Sequence, residues 1–513
     1  MLINAHGDVR AALIGIGVFS CLANLLALTG PIFMLQVYDR VLPARSLATL
    51  TALLLLALAL YLTFGILDVI RCRLMSRVAA MVDTALSQRT FSALSRAPFH
   101  EERGRASLRP VHDLDQIRAF LASQGPIALF DLPWMPIFLA ICFLLHPLIG
   151  WLTAGGMLLL IGLTVLTDRR TRSLTREAAV ATAERDRVGQ AAHRGAESIK
   201  AMGMGRAMGG KWDELHAAQA TLHREAGDVG ATLAGASKAV RYALQSVALA
   251  AGAYLVIGEE ISAGMIFAAS IIVARTVAPI EQVIGNWKAM LAARQAWARL
   301  MRAFEKSPVE RAKTTLPAPE KRLSVRGLFA APPGERRATV LNLSFRIKAG
   351  TVLGILGASA SGKSSLARAI VGIWPAAKGR VSLDGASLDQ WSATDLGRHI
   401  GYMPQVVDLF PGTVAENIAR MDAEASDAAV IAAARAAGVH EMIVALPGGY
   451  EFAVSDDGAN LSAGQRQRIA LARALYDDPF LVVLGEPNAS RDTDGDKAVV
   501  EAIAGVRKRG GST

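Results

Sequence analysis

Cysteine, aromatic residues and charge are all scarce in this 513-residue chain. The three cysteines, Cys21, Cys72 and Cys142, lie in or beside apolar stretches and have no metal-ligand spacing. That excludes a disulfide framework and a zinc site. Charged residues make up 19% and aromatics 6%, against a hydrophobic share of 52% and a mean hydropathy of +0.33. Such a balance is high for a water-soluble chain. No cleavable leader is expected, because the first apolar segment runs into Tyr38-Asp-Arg40 without a small-residue cleavage site. Beyond about residue 285 no apolar stretch of membrane-spanning length occurs, and no short-period repeat is evident.

The apolar content is concentrated before that point. Stretches near 11–35, 47–67, 127–145, 148–167, 239–257 and 261–280 each approach the roughly 20 residues that a bilayer crossing needs. Six in one half and none in the other predict a membrane domain followed by a water-soluble one. The connection after the second stretch carries nine arginines from Arg71 to Arg118, and that after the fourth is equally basic, from Arg169 to Lys211. The opposite connections, His146-Pro147 and Gly258-Glu-Glu260, are almost bare of basic residues. Positive-inside bias therefore places both long loops and both termini in the cytoplasm.

The same placement explains the net charge of +11. Topology and anionic headgroups account for the basic excess, so membrane lipid is an expected partner and nucleic acid is not. The long loops look helical: Asp68 to Ser95 has neither proline nor glycine and would extend roughly 40 Å as a helix. A break is expected at Ala97-Pro-Phe-His100, then a second helix from about Val111 to Ser123. The other loop repeats the plan, turning at Met202-Gly-Met-Gly-Arg-Ala-Met208. Residues 305–322 are polar and proline-containing, which reads as a linker. The expected organisation is a membrane domain over 1–304, that linker, and an α/β domain over 323–513. Leu323-Ser-Val325 and Thr339-Val-Leu341 begin its strand-like runs.

The α/β domain carries Gly357-Ala-Ser-Ala-Ser-Gly-Lys-Ser364, which fits G-x-x-x-x-G-K-[ST] at every fixed position. A glycine-rich turn lets backbone N–H groups close on phosphate oxygens. Lys363 can reach outer phosphates and the Ser364 hydroxyl can ligate Mg²⁺. Thr351-Val-Leu-Gly-Ile-Leu356 reads as a buried strand before the loop, and Ser365 to Val371 as the helix after it. Downstream, Leu461-Ser-Ala-Gly-Gln465 opens a helical run in which Ser462 can serve as N-cap, with the positive end aimed at a phosphate.

With Tyr402-Met-Pro-Gln405 between them, these motifs resemble those of ATP-binding cassette (ABC) proteins, whose signature faces the phosphate loop of a second subunit. Pro31-Ile-Phe-Met-Leu-Gln-Val-Tyr-Asp-Arg-Val-Leu-Pro43, Phe130-Asp-Leu-Pro-Trp-Met-Pro-Ile137 and Ala278-Pro-Ile-Glu-Gln282 are similar to the type I secretion ATPases of Gram-negative bacteria, closest to the protease- and lipase-exporting group. The resemblance covers nearly the whole chain. It implies a six-span exporter-type transmembrane domain followed by a P-loop nucleotide-binding domain. It further implies an inner-membrane half-transporter working as a dimer with a periplasmic membrane-fusion adaptor and an outer-membrane channel. The cargo would be an unfolded secreted polypeptide carrying an uncleaved C-terminal signal. Within the membrane, Asp131 and Arg275 stand out, since intramembrane charge usually faces a cavity or a partner. For Arg275, snorkelling toward the cytoplasm is equally open.

Carried over residue by residue, the resemblance assigns ATP binding to Gly357, Ala358, Ser359, Ala360, Ser361, Gly362, Lys363, Ser364 and Ser365. To these it adds the signature residues Leu461, Ser462, Ala463, Gly464 and Gln465, and Asp492 of the loop crossing the dimer. Ser364 and Gln405 would hold Mg²⁺, Gln405 also sensing the attacking water, and Glu486 would act as general base.

The departures are specific. After Phe480-Leu-Val-Val-Leu484 the family has Asp-Glu, whereas this chain has Gly485-Glu486. A missing Mg²⁺-supporting carboxylate leaves turnover in question and predicts that Gly485→Asp raises it. Ala360 and Ala463 replace family glycines and matter only where φ must be positive. Ala331 stands near the place of an adenine-stacking aromatic. The chain stops at Arg509-Gly-Gly-Ser-Thr513, where a further strand and a switch histidine are expected, so the nucleotide domain reads as C-terminally incomplete. Two rival readings stay open: an exporter of lipid, drug or short peptide, and a regulatory partner or fragment that binds ATP without turnover.

Overall fold

The computed structural model describes residues 2–96, 109–306, 313–335, 337–455, 458–487 and 493–513. The chain divides into two compact units, Met1–Ala93 with Leu108–Glu305, and Leu94–Ser107 with Lys306–Thr513.

The first unit is helical. Its helices are α1 (Leu2–Leu26), α2 (Thr29–Gln36), α3 (Leu42–Ala44), α4 (Leu47–Arg96), α5 (Arg109–Leu121), α6 (Gly125–Asp131), α7 (Met135–Leu145), α8 (Pro147–Arg194), α9 (Ala196–Ala201), α10 (Gly205–Ile257), α11 (Ala263–Gly285) and α12 (Trp287–Lys306). Among the described residues, six segments are long and apolar enough to cross a membrane: Val9–Ala44, Leu47–Arg96, Gly125–Leu145, Pro147–Arg194, Gly205–Ile257 and Ala263–Gly285. Each overlaps one of the apolar stretches expected from the sequence. Without proline or glycine to stop it, α4 runs unbroken through Asp68–Ser95. The turn between α9 and α10 falls at Met202–Met204. The expected break at Ala97–His100 lies outside the described residues.

Burial separates the helices by role. In α4 only 6% of the apolar window is buried, against 56% in α11. Leu55, Leu58 and Leu62 of α4 are more than half exposed, as suits side chains whose solvent is hydrocarbon. α11 instead packs into a core with Cys142, Leu160, Leu244, Ala248, Val273 and Val277. A Cβ at Gly252 of α10 would stand 3.3 Å from the Ile266 Cα, so glycine permits the close α10–α11 approach.

The secretion-type strings occupy special geometry. Residues Val37–Val41 form a π-helical turn. From it Asp39 reaches the start of α11, accepting hydrogen bonds from Ser262 Oγ (2.5 Å) and Gly264 N (2.8 Å). Tyr38 stacks on Phe267 with centroids 4.4 Å apart. At Asp131 α6 gives way to a 3-10 turn, Leu132–Trp134, before α7 begins. Two prolines, Pro133 and Pro136, remove main-chain donors there. Pro279 lies inside α11, and neighbouring Glu281 pairs with Arg241 at 2.6 Å.

The second unit is α/β, with β1 (Arg322–Ala330), β2 (Val340–Lys348), α13 (Lys363–Ile370), β3 (Lys378–Leu383), β4 (Ala386–Ser387), α14 (Ala393–His399), β5 (Ile400–Met403), β6 (Gly412–Thr413), α15 (Val414–Ile418), α16 (Asp427–Ala436), α17 (His440–Val444), β7 (Ala453–Val454), α18 (Ala463–Leu475), β8 (Leu481–Leu484) and α19 (Thr493–Lys508). Strands β2-β1-β3-β4 make an antiparallel sheet, and β5 and β8 a separate parallel pair. Leu323, Val325, Val381, Leu383 and Trp391 fill the core beside the first. The β3–β4 turn is Asp384-Gly385, with φ of 49° and 95°, the two positive angles a tight two-residue hairpin requires.

One expectation is corrected. Residues 351–356 are neither a regular strand nor buried: all six are exposed, and Leu356 is 96% so. The reason is a lack of neighbours. Leu353 N donates to Thr513 O (2.9 Å) and Thr513 N to Thr351 O (3.2 Å), but from Gly354 to Leu356 no main-chain partner is made among the described residues. Residues 512–513 lie between this run and β8, Ser512 N donating to Phe480 O and Val482 N to Ser512 O. A strand exists only as far as its neighbours extend.

Candidate nucleotide-binding site

The phosphate loop is built by backbone conformation. Gly362 precedes α13 with φ 94°, and a Cβ there would stand 2.9 Å from Thr339 O, so only glycine fits. Ala360 also has positive φ, 65°, where an alanine is strained. Ala463, by contrast, is simply the first residue of α18, so its departure from glycine is conformationally neutral. At the start of α13 the N–H groups of Lys363, Ser364 and Ser365 have no partner among the described residues. A helix N-terminus with free donors suits an anion. Lys363 Nζ donates to its own loop, to Gly357 O at 2.7 Å and Ala358 O at 2.8 Å. The ammonium thus sits in the loop's mouth, holding carbonyls that phosphate oxygens can replace. Ser359, Ser361 and Ser364 are exposed beside it.

The register of β5 on β8 assembles the second part. Met403 pairs with Leu484, so both chains leave the sheet together and Gly485 N donates to Met403 O at 2.8 Å. Two residues beyond each strand end, Gln405 Nε2 donates to Glu486 Oε2 at 2.8 Å. The structure therefore brings these two sequence-selected residues into direct contact. Glu486 takes a positive φ of 49°, which turns its exposed carboxylate out of the strand line. Gly485 fills its position tightly. A Cβ there would meet Gln405 N at 3.0 Å, Met403 O at 3.3 Å and the Pro404 carbonyl carbon at 3.4 Å.

At the signature, Ser462 caps α18 in a reciprocal box. Its Oγ accepts from Gln465 N (3.2 Å), and Gln465 Oε1 accepts from Ser462 N (2.9 Å). Leu461 is buried and anchors the turn, while Ser462 and Ala463 are exposed and Gly464 is half-buried. Asp492 lies outside the described residues. Ala331 is half-buried and offers no ring for stacking.

Two positioning groups escaped the sequence reading. Gln467 Nε2 donates to Pro487 O (2.9 Å) and Glu486 O (3.4 Å), tying α18 to the backbone of Glu486. Arg420 donates to Gly397 O, Arg473 O and Tyr476 O, clamping the ends of α14 and α18 together. Burial lowers the pKa of this guanidinium from its ordinary value. Neither residue belongs to a short motif; Gln467 stands five residues past Ser462 on the outer turn of α18, the only local signal available.

The site residues fit a nucleotide triphosphate: free helix-terminal donors, a lysine engaged only with loop carbonyls, and an exposed hydroxyl. They fit Mg²⁺ less completely. Ser364 and Gln405 offer neutral oxygens, and Mg²⁺ retains waters and binds through few protein ligands. No cluster of three His, Cys, Asp or Glu residues is present among the described residues.

Comparison with known proteins agrees with this geometry. The ABC transporter family model matches residues 340–489, and the ABC transporter transmembrane region matches 13–279. The type I secretion system ATP-binding protein PrsD of Rhizobium meliloti (strain 1021) is 50% identical over 504 residues, covering 98% of this chain and 87% of its own. The leukotoxin translocation ATP-binding protein LktB of Mannheimia glucosida is 28% identical over 94% of this chain and 69% of its own. A bacterial Atm1-family ABC exporter solved with ATP bound superposes with a TM-score of 0.84, at 21% identity over 98% of this chain and 90% of that one. That likeness concerns the fold. Six apolar spans, a phosphate loop and a capped signature helix on one chain, with half its residues shared with a secretion ATP-binding protein, place it among the ABC transporters of type I secretion systems.

Proposed function

We propose that this chain is the ATP-driven half-transporter of such a system, exporting an unfolded polypeptide across the bacterial inner membrane through a periplasmic adaptor and an outer-membrane channel. The observation that carries the reading is the 50% identity to PrsD along nearly the whole chain, since it spans the membrane unit as well as the cassette. Residues 1–304 would form the transport path, 305–322 the linker, and 323–513 the ATP-binding domain. A second copy would complete the site, its signature residues 461–465 and Asp492 closing over the phosphate loop.

Within one copy, each side chain has a physical task. Lys363 would exchange its loop carbonyls for phosphate oxygens, and the free N–H groups of α13 would hold the remaining charge. Ser364 and Gln405 would hold Mg²⁺, which supplies charge neutralisation when bound. Glu486 would orient and deprotonate the attacking water once Gln405 releases it. Phosphoryl transfer consists largely of positioning and electrostatics, so Gln467 and Arg420 contribute by fixing where Glu486 and α18 stand.

The test is expression of the full chain with an adaptor and an outer-membrane channel in a Gram-negative host lacking its own secretion ATPase. Expected are co-purification of the adaptor and a polypeptide in the medium that retains its C-terminus. Transport of lipid or drug without secreted polypeptide would sink the proposal. A second reading rests on Gly485: ATP binding without turnover, with turnover restored by a different cassette protein, would mark a regulatory partner.

A further inference from the structure

The membrane unit holds a cavity of about 440 Å³ whose wall includes Asp68 and Arg71 of α4, Gln124 before α6, Asp131 at its end, and Arg275 and Gln282 of α11. Three of its four charges belong to one bonded cluster. Arg71 Nε donates to Asp68 Oδ1 at 2.8 Å, and Arg71 Nη1 to Asp131 at 3.1 and 3.3 Å. Asn24 Nδ2 adds a bond to Asp131 Oδ1 at 2.7 Å. Both carboxylates and the guanidinium are thereby engaged. The fourth charge is different: Arg275 makes no hydrogen bond or ion pair among the described residues and is exposed to the cavity.

An arginine near the middle of an apolar helix is expensive without a partner. Snorkelling to the end of the apolar stretch near residue 280 would cover five residues, about 8 Å of helix rise, whereas the cavity wall to which the side chain is exposed offers a polar outlet at its own depth. One face of α11 carries both Arg275 and, seven residues on, Gln282. Gln282 and Gln124 add amides that can donate and accept toward an extended backbone. The volume falls within the ~300–1,000 Å³ typical of sites that enclose a drug-sized ligand. That suits a few residues of extended chain and is small for a two-tailed lipid.

We propose that this cavity is a contact site for the transported polypeptide, with Arg275 pairing an Asp, Glu or C-terminal carboxylate and Gln124 and Gln282 bonding the adjacent backbone. The proposal rests on the protein-export reading above. The Asp68–Arg71–Asp131 cluster would act as a positioning group that braces α1, α4 and α6 around the site.

The experiment uses the full chain in detergent and two fluorescent ten-residue Gly/Ser peptides, one with two glutamates and the other with two glutamines. Fluorescence anisotropy should show the glutamate peptide binding about tenfold or more tightly, the scale of one charge-assisted bond. Arg275→Gln should erase the difference and Arg275→Lys retain most of it, while all three proteins bind ATP alike, which shows that they are folded. Equal binding of both peptides to the wild type, or a preference that survives Arg275→Gln, overturns the assignment and leaves protein export standing. Binding of neither peptide, with phosphatidylglycerol in nanodiscs protecting Arg275 instead, overturns the assignment in favour of a lipid headgroup and removes support from the export reading too.

Discussion

Gly485→Asp separates two effects that act on the same position. The Cβ that aspartate adds would lie 3.0 Å from Gln405 N and 3.3 Å from Met403 O, so the β5 chain must give by a few tenths of an ångström. Those neighbours are backbone atoms held by the Gly485 N–H bond to Met403 O and cannot rotate away. Overpacking at such a site costs about 1 kcal/mol, which lowers the melting temperature of a unit this size by about 2–4 °C. Against that stands a gain at the metal. A carboxylate bonding the metal's waters is worth about 1.5–3 kcal/mol, or about ten- to a hundredfold in affinity. The assay is binding of a fluorescent ATP analogue with and without Mg²⁺, with ATPase rate beside it and Gly485→Asn as the isosteric control. Both variants should melt earlier. Only aspartate should make Mg²⁺ tighten nucleotide binding by that factor and raise turnover. Equal behaviour of aspartate and asparagine would refute the carboxylate argument, and an unchanged melting temperature would refute the packing argument.

Other outcomes follow from backbone geometry and titration. Ala360→Gly relieves a φ of 65° already present without nucleotide and should stabilise the folded domain by about 0.5–1 kcal/mol, read as a melting temperature higher by about 1–4 °C; an unchanged or lower melting temperature would show that the strain is absent. Burial alone would raise the Asp384 carboxyl, but N–H bonds from Glu320, Lys321 and Arg322, with the Lys321 charge, outweigh it and hold the pKa below the ordinary 3.8. A depressed folded value means that the contribution is present above pH 3.8 and disappears as pH falls through the lowered value. Asp384→Asn keeps the turn and should flatten the acid limb of the stability curve below about pH 4, measured by circular dichroism; an unchanged limb would count against this role.

The parts legible from sequence are those fixed by neighbours in the chain. Apolar runs located the six spans found among the described residues, and the absence of proline and glycine forecast that α4 runs unbroken through Asp68–Ser95. Ser462 could be assigned as a cap because it stands immediately before a helical run. The run 351–356 failed for the opposite reason: its composition suits a strand, but strand formation depends on partners far away in sequence. The same distance hid the Asn24–Asp131–Arg71 cluster, whose members are 107 and 60 residues apart. Gly485 was conspicuous as a lost carboxylate, yet nothing local revealed that the backbone of Met403–Gln405 had closed on the space.

The carboxylate of Asp39 has a mechanical consequence for α11. Together with the Tyr38–Phe267 stack it fixes the first turn of that helix to the π-helical turn at Val37–Val41, whereas Pro279 interrupts the hydrogen-bond ladder near the other end. A rod pinned at one end and weakened near the other moves as a lever. Gln282 lies fifteen residues, about 22 Å, from the pivot at Phe267, so a 10° swing carries it about 4 Å. Arg275, about 12 Å out, travels roughly half as far. The two side chains on one face of α11 would thus sweep unequal arcs at a fixed separation, so a chain gripped by both would be carried along and tilted rather than stretched.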